Sequence, residues 1–396
     1  MPVQNASPER NANSRTGQNQ PAPNVSSTPP LVSIIIVTWN ARPLLERFLP
    51  SVVATAYQPL EIILADNAST DGSAEWVART YPSVKILRHP ENWAFCRGNN
   101  QAFPHASGSY VVLLNNDVEV PPGWLGPLVE SMEHNPEVGA LQPKLLQYEH
   151  RDRFEYAGGA GGYLDRLGYP FTRGRIFFSM ERDEGQYDDA RDVFWATGAA
   201  LMLRRKALEQ VGPLDEQFFM HMEEIDLCWR LWRHGWRVRV EPRSTVYHLG
   251  GGSLPQGDPT KTYYNFRNSL LMLYKNLPPR AWRRTFPLRA LLDGTALLRA
   301  LARGQLREAS AILRAYRDAH HLKNAYRSLR PRHCVAGPYY RGSIVLDYFL
   351  FGRRRFRDLP EHRFIAPHGS PGSGPLPDHD DRDREEHQRH PGQRHA

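Results

Sequence analysis

The sequence has 396 residues, a formal net charge of +8 and 40% hydrophobic residues, which suits one large domain with appendages, or two domains. Its three widely spaced cysteines argue against a disulfide framework and favour a reducing, cytoplasmic compartment. Because no run of about 18 apolar residues occurs and the first thirty residues lack an apolar core, we expect neither a spanning helix nor a signal peptide.

Strands and helices alternate after a polar leader. Residues 1–29 are rich in Asn, Gln, Pro and Ser and are expected to be disordered. The predicted strands are Leu31–Val37, Leu60–Ala65, Val84–Leu87 and Tyr110–Leu114, with helices near 43–57, 70–80 and 97–105 between them. Unbroken apolar runs are typical of strands buried on both faces, so this order predicts a parallel α/β layer.

Polar residues follow the ends of these strands. They are Thr38 and Asn40 after the first strand, Asp66 and Asn67 after the second, Asn92 after the third, and Asn115, Asn116 and Asp117 after the fourth. Each cluster alone could start a turn or cap a helix. Four clusters at one sheet edge would instead line a crevice, the usual position of a nucleotide, where Asp117 could hold a divalent cation. No GxGxxG or P-loop motif occurs, so dinucleotide binding and P-loop chemistry are not expected.

The pattern becomes irregular after Pro121. A helix is predicted near 125–133 and another at 204–211. Between them, the apolar stretch Val193–Leu203 contains Gly198, which indicates a close approach of the backbone to a ligand or a neighbouring strand.

Three acids, Glu223, Glu224 and Asp226, lie where a helix at 225–234 is predicted to begin. Acids at a helix start are explained by the helix dipole, but one acid is enough for that purpose. Three carboxylates among aromatic neighbours should have raised pKa values and could act as bases near neutral pH. We therefore favour a catalytic role for this acidic trio.

His248 follows a strand predicted at 236–240 and precedes three consecutive glycines at 250–252. A single histidine is commonly a hydrogen-bonded structural residue. A glycine-rich loop beside it could equally let the backbone close over phosphates, so both interpretations stay open.

The end of the sequence is basic. Residues 278–365 are predicted to form an amphipathic helical extension of a main domain at 30–277, and residues 366–396 a disordered tail. From 280 to 357 there are 18 lysines and arginines against four acids. The helices could pack on the main domain or lie on an anionic membrane surface. Nucleic acid is not expected, because the arginines alternate with leucines rather than with stacking aromatics.

With these residues placed, the sequence resembles the family 2 inverting glycosyltransferases, especially bacterial rhamnosyltransferase-like members. The matching blocks are VSIIIVTWN at 32–40, ILADNASTDGS at 63–73, ENWAFCRGNN at 91–100, VVLLNNDVEV at 111–120, TGAALMLRR at 197–205, EEIDLCWR at 223–230 and VYHLGGGS at 246–253. They occur in the family's order and cover about residues 30–277.

The resemblance implies a glycosyltransferase-A fold, a mostly parallel sheet flanked by helices. It also implies a Mg²⁺ or Mn²⁺ ion, a dTDP- or UDP-linked sugar donor, and a glycan or lipid-linked acceptor of the cell envelope. By this resemblance Thr38 and Asp66 match nucleoside contacts, Asn92, Arg97 and Gly98 the donor-side loop, Asp117 the metal ligand, His248 a metal or diphosphate contact, and Glu224 the catalytic base.

Two departures from the family pattern affect these roles. Asn115 stands where the DxD motif has its first acid, and Glu224 stands where aspartate is usual, so the base could be Glu223, with Asp226 as a further candidate. A sugar-1-phosphate nucleotidyltransferase would need a glycine-rich basic loop that this sequence lacks after its first strand. A non-catalytic sugar-nucleotide-binding or scaffold protein would not need the acidic trio. The expected location is the cytoplasm, at the inner face of the cell membrane.

Overall fold

The strands and helices follow the predicted alternation through the first half of the chain. The computed structural model describes residues 28–250, 258–334 and 337–367. The strands in chain order are β1 (Val32–Thr38), β2 (Leu60–Asp66), β3 (Lys85–Arg88), β4 (Tyr110–Leu114), β5 (Val118–Glu119), β6 (Val138–Gln147), β7 (Gly162–Leu164), β8 (Pro170–Thr172), β9 (Arg175–Ile176), β10 (Ser179–Met180), β11 (Arg191–Asp192), β12 (Ala200–Arg204), β13 (Arg237–His248), β14 (Tyr339–Tyr340) and β15 (Phe364–Ile365). The α-helices are α1 (Arg42–Val53), α2 (Ser73–Thr80), α3 (Ala94–Ala102), α4 (Leu125–His134), α5 (Arg205–Val211), α6 (Glu223–Arg233), α7 (Pro259–Asn276), α8 (Pro279–Ala302), α9 (Leu306–Leu322) and α10 (Ile344–Phe349).

A central sheet has the strand order β11-β13-β6-β12-β4-β1-β2-β3, and β5 pairs with β13. Its first-half strands are parallel, since β1 pairs with β2 and β4, and β2 pairs with β3. β12 enters antiparallel between β4 and β6, while β6 and β13 run parallel to each other. The sheet is therefore mixed, with the parallel α/β layer that was predicted as its first half.

The core explains why the first strands are so apolar. Side chains of β1 and β4 are buried on both faces and belong to two hydrophobic clusters, one on each side of the sheet. With both faces covered, the strand ends are the places where polar side chains can reach solvent or a ligand. β1 and β2 end in register, with Thr38 opposite Asp66, so the predicted strand-end residues meet at one edge.

The sequence did not predict β6, although this strand is central and nearly all buried. Its middle, Gln142-Pro143-Lys144, contains a residue without an N–H and two polar residues, which argue against an inner strand. The fold accommodates the proline where β13 changes register between Glu241 and Thr245. Lys144 is stabilised by Asp183, 2.8 Å away, and the Gln142 amide accepts from the backbone of Thr197.

The C-terminal helices pack on the main domain along one side. In α8 the buried Arg289 and Asp293 form an ion pair at 2.9 Å, and Asp293 also accepts a hydrogen bond from Tyr169. On the opposite side of α8, Leu291 and Leu298 are about two-thirds exposed, at 67% and 66%. The predicted packing on the main domain is observed for one face of α8, and the membrane alternative stays a prediction for the exposed face. None of the described helices has the combined length and apolarity that crossing a membrane requires.

Candidate active site

The ends of β1, β2 and β4 bring four predicted donor-site residues together. The amide of Asn116 donates to the Thr38 hydroxyl at 3.3 Å, and the Asn115 amide nitrogen lies 3.5 Å from His248 Nε2. Asp66 is buried, and its Oδ1 has no hydrogen-bond partner among the described residues. A buried carboxylate oxygen without a partner is costly, which indicates a ligand donor group at this position.

Other predicted donor-site residues hold the surrounding loops. Asn40 joins the loops after β1 and β2, since its backbone N–H donates to Ser69 and its side chain accepts from Thr70. Asn67 donates to the backbone of Ala94 at 3.0 Å, which fixes the start of α3 against β2. These contacts fix the loops that surround the crevice. They leave direct contacts with the donor to the neighbouring strand-end residues.

The predicted donor-side loop adopts its shape through local contacts at the start of α3. Asn92 accepts from the Ala94 N–H at 2.9 Å, which closes a local turn just before the helix. A Cβ at Gly98 would lie 3.0 Å from Val37 and 3.2 Å from Asn67, so a larger residue would require these side chains to shift where α3 approaches β1. The Arg97 guanidinium stacks 4.2 Å from the Trp93 ring and is about half exposed, within reach of an incoming anion.

Asp117 and His248 meet behind the end of β4, as the pairing of β5 with β13 requires. His248 Nε2 lies 3.0 Å from Asp117 Oδ1, and its Nδ1 lies 3.2 Å from Glu155 Oε1, at an angle that does not complete a hydrogen bond. Burial would raise the pKa of Asp117, but the charge and hydrogen bond of His248 hold it below its usual value. Although burial opposes its charge, the carboxylates of Glu155 and Asp117 raise the pKa of His248 to about 10. Sequence reasoning missed Glu155, which no strand or helix signal marks.

Asp117 supplies a carboxylate, a ligand that suits a Mg²⁺ or Mn²⁺ ion that also binds a substrate. His248 would bind the ion only after losing a proton, since a protonated imidazole has no free ring nitrogen and its 3.0 Å contact with Asp117 Oδ1 is a hydrogen bond. No group of three or more His, Cys, Asp or Glu side chains arranged to hold a metal occurs within the described ranges. Such an ion would therefore take its remaining ligands from water and phosphate, as Mg²⁺ commonly does. The glycines predicted to close over phosphates lie outside the described residues beyond Gly250.

Glu223 and Glu224 form the start of α6, two residues earlier than predicted. Burial and then the adjacent Glu224 raise the pKa of Glu223 well above its usual value, and burial raises the pKa of Glu224 to about 7. One carboxylate oxygen of each has no partner among the described residues. The pair therefore has the raised pKa values that the sequence predicted, together with free acceptor atoms.

The glutamate pair and the end of β4 lie on either side of one short turn. A Cβ at Gly198 would lie 3.7 Å from Cβ of Glu224 and 3.3 Å from the Phe95 ring. The next residue, Ala199, accepts a hydrogen bond from the Asn115 N–H at 3.0 Å. Glu224 is thus brought next to the strand-end residues by a glycine whose close packing the sequence predicted.

The loop before α6 is strained and is held by α7. Phe219, His221 and Met222 have φ values of 65°, 67° and 73°, in the left-handed region that non-glycine residues seldom adopt. The fully buried side chain of Asn268 donates to the carbonyls of Phe218, Met220 and His221 at 2.7–2.8 Å. Neither Asn268 nor this clamp was predicted, because the partners are almost fifty residues apart and carry no local signal.

Asp226 differs from the other two acids. It is fully buried and accepts from Arg230 at 2.9 Å, from Lys275 at 2.8 Å and from Asn276 at 2.8 Å. Burial alone would raise its pKa, but Lys275 and Arg230 hold the pKa of Asp226 below its usual value. The expectation of a raised pKa is wrong for this residue. Its contacts join α6 to α7, so we leave it out of the candidate bases.

Comparison with known proteins identifies the family of the chain. The family model for glycosyl transferase family 2 matches residues 33–212. The N-acetylglucosaminyl-diphospho-decaprenol L-rhamnosyltransferase of Mycobacterium tuberculosis is 30% identical over 297 residues, which cover 70% of this chain and 94% of that protein. The O-antigen biosynthesis protein RfbC of Myxococcus xanthus is 31% identical over 252 residues, 60% of this chain and 19% of its own length.

Among solved structures, GalNAc-T7 with UDP, GalNAc and Mn²⁺ aligns at 16% identity with a TM-score of 0.48, over 63% of this chain and 48% of that one. The structure has the α/β class expected from the sequence, a sheet flanked by helices with a C-terminal helical extension. By its family match and by a relative covered almost end to end, the chain belongs to glycosyl transferase family 2.

Proposed function

We propose that this glycosyltransferase moves a rhamnosyl residue, with inversion, from a dTDP-linked donor to a polyprenyl-diphosphate-linked glycan of the cell envelope. The name of the relative covered over 94% of its length supports this choice of sugar and acceptor. The observation that carries the catalytic part is the pair of glutamates next to the strand-end crevice, Glu223 buried and Glu224 half-buried, each with a carboxylate oxygen that lacks a partner among the described residues, and with a pKa of about 7 at Glu224.

The proposed chemistry is a single displacement. Glu224 accepts the proton of the acceptor hydroxyl while that oxygen forms a bond to the anomeric carbon. The bond from the anomeric carbon to the diphosphate breaks on the opposite face, and its electron pair leaves with the nucleotide. Asp66 contacts the nucleoside, and Asp117 and His248 would hold the divalent cation. When bound, that cation supplies positive charge against the leaving diphosphate.

A donor screen tests this proposal against its rivals. The enzyme is incubated with Mn²⁺, a lipid-diphosphate-linked GlcNAc acceptor and, in turn, dTDP-rhamnose, UDP-glucose or UDP-GlcNAc. We expect dTDP release and a glycosylated lipid with dTDP-rhamnose. Pyrophosphate release from a nucleoside triphosphate and a sugar-1-phosphate would instead identify a nucleotidyltransferase. Binding of donors without any transfer would favour the non-catalytic alternative.

The outward face of α8 suggests how the enzyme reaches a lipid acceptor. Leu288, Leu291 and Leu298 lie on the side opposite the buried Arg289 and Asp293, and are 50%, 67% and 66% exposed. The segment from 280 to 357, to which this face belongs, carries eighteen basic residues against four acids. A second copy of the chain would bring the same charge against it, whereas an anionic lipid surface is complementary. We therefore assign the face to the anionic inner surface of the cell membrane.

Cosedimentation with phosphatidylglycerol vesicles tests this assignment. Leu291→Glu/Leu298→Glu should abolish binding, while Ala78→Glu/Gln101→Glu, which adds the same charge at exposed positions of the main domain, should retain most of it. Equal loss of vesicle binding in both variants would contradict the membrane assignment. Stronger binding to duplex DNA, in a mobility-shift assay, than to vesicles would also contradict it.

A further inference from the structure

A cavity separate from the active site lies between the C-terminal end of α7, the start of α8 and the segment after α9. Its volume is about 430 Å³, and its lining includes Tyr274, Trp282, Arg283, Asn324, Arg327 and Arg330. Three of these residues are arginines, and no acidic side chain is among the described residues that line it. Because nothing balances the three positive charges, the cavity favours an anion.

One of the three guanidinium groups is held in place. Arg330 donates from Nε and Nη2 to the carbonyl of Leu277 at 3.1 and 3.0 Å, and its guanidinium lies 4.2 Å from the Tyr274 ring. These contacts fix the plane of the guanidinium and leave its other nitrogen available. A pre-oriented guanidinium binds an oxyanion with little loss of side-chain freedom.

The other two arginines are exposed and have no hydrogen-bond or ion-pair partner within the described parts of the chain. Arg283 extends from α8 and Arg327 from the segment after α9, so they reach the cavity from two sides. Trp282 and Tyr274, in edge-to-face contact at 5.3 Å, give the cavity an apolar wall.

We infer that this cavity binds a phosphate or diphosphate group, with Arg283, Arg327 and Arg330 as its ligands. The bound group belongs either to an anionic lipid headgroup or to a soluble phosphate. The apolar wall suits a phosphate that carries a hydrocarbon substituent. This site does not depend on the transfer reaction proposed above, because none of its residues belongs to the candidate active site.

Titration calorimetry with inorganic pyrophosphate, without divalent cation, tests the site. Arg283→Gln/Arg327→Gln should weaken binding at least tenfold, because two of three ligands lose their charge. The matched control Arg303→Gln/Arg307→Gln removes two exposed arginines outside the cavity and should change the affinity less than twofold. Circular dichroism melts of both double variants should match the wild type, since all four side chains are exposed. Equal effects of the two variants, or no effect of either, would overturn the inference.

Vesicle binding then separates the two sources of phosphate. With phosphatidylglycerol vesicles, a larger loss in Arg283→Gln/Arg327→Gln than in the control, together with competition by pyrophosphate, identifies a lipid headgroup. Equal vesicle binding by both variants, combined with the tenfold difference toward pyrophosphate, identifies a soluble phosphate. Donor hydrolysis with Mn²⁺ reports the active site separately and should be unchanged in both variants.

Discussion

Glu224 is a carboxylate at the start of a helix whose surroundings disfavour its charge. Burial raises the pKa of Glu224 to about 7, so both the protonated and the basic form are present around neutral pH. A general base with a pKa near the working pH combines a sufficient population with proton-accepting strength. A fully solvated glutamate would be ionised but a much weaker base.

The pH dependence of transfer follows from this value. Because only ionised Glu224 can accept a proton, kcat/KM should rise with pH, reach half its maximum near pH 7 and then level off. Initial rates from pH 5 to 9 measure this, with thermal melts over the same range to show that the enzyme stays folded. A rate that is constant between pH 5.5 and 8.5 would contradict the assignment.

The ionisation of Glu223 should lower the stability of the folded enzyme. Its pKa is raised in the folded state, so as pH increases above about 4.5 the unfolded chain releases a proton that the native state retains. Stability is therefore lost as pH rises, and Glu223→Gln should raise the melting temperature at pH 8 by about 2–4 °C, with little change at pH 4. Glu209→Gln, at an exposed glutamate, is the control and should change neither value. A lower melting temperature for Glu223→Gln at pH 8 would show that the charged form is stabilised.

At the scale of elements, α7 determines where the glutamates lie. The strained residues before α6 would relax without support, and the support comes from the Asn268 amide and from Arg267, which donates to the carbonyls of Gln217 and Phe218. Buried amide groups of this kind also rigidify the elements that they join. Helix α7, which lies beyond the residues matched by the family model, therefore helps to hold the candidate active site in place.

Replacing Asn268 tests this function of α7. Asn268→Ala leaves the carbonyls of Met220 and His221 without this donor, while Arg267 still donates to Phe218, so stability should fall by about 2–3 kcal/mol. The loop should also loosen, so kcat should fall at least tenfold while the donor KM changes less than threefold. Ser269→Ala is the matched control, because its buried hydroxyl accepts from Arg289 in α8 rather than from the loop. Ser269→Ala should lower the melting temperature but retain the wild-type kcat. Equal kcat values for Asn268→Ala and Ser269→Ala would show that Asn268 does not position the glutamates.

For the whole molecule, the sequence predicted the parts of the site that depend on local pattern. Strand ends could be recognised because β1, β2 and β4 are mostly apolar, β4 without interruption, and each is followed by polar residues. β6 could not, because Pro143 and its polar neighbours are accommodated only by partners distant in sequence. The role of Asp226 was misjudged for the same reason, since Lys275 is 49 residues away.

The C-terminal helical extension has a buried polar face and an exposed apolar face in α8. The spacing of leucines and arginines predicted helices but not which face would be buried. The structure buries the ion pair of Arg289 and Asp293 and leaves the leucines outside, because the buried pair finds Tyr169 and Ser269 as further partners. Hydrophobic periodicity alone cannot reveal such a satisfied polar contact.

We propose that Asp117 and Glu224 act on two sides of one crevice. Asp117 serves donor binding, and Glu224 accepts the proton of the acceptor. The most direct measurement combines transfer rate and donor affinity, by calorimetry with and without Mn²⁺, for Glu224→Gln and Asp117→Asn. Glu224→Gln should lose about 10³-fold in rate and keep its donor affinity within twofold. Asp117→Asn should lose at least tenfold in donor affinity, together with its dependence on Mn²⁺. Wild-type turnover in Glu224→Gln, or unchanged Mn²⁺-dependent binding in Asp117→Asn, would contradict the account.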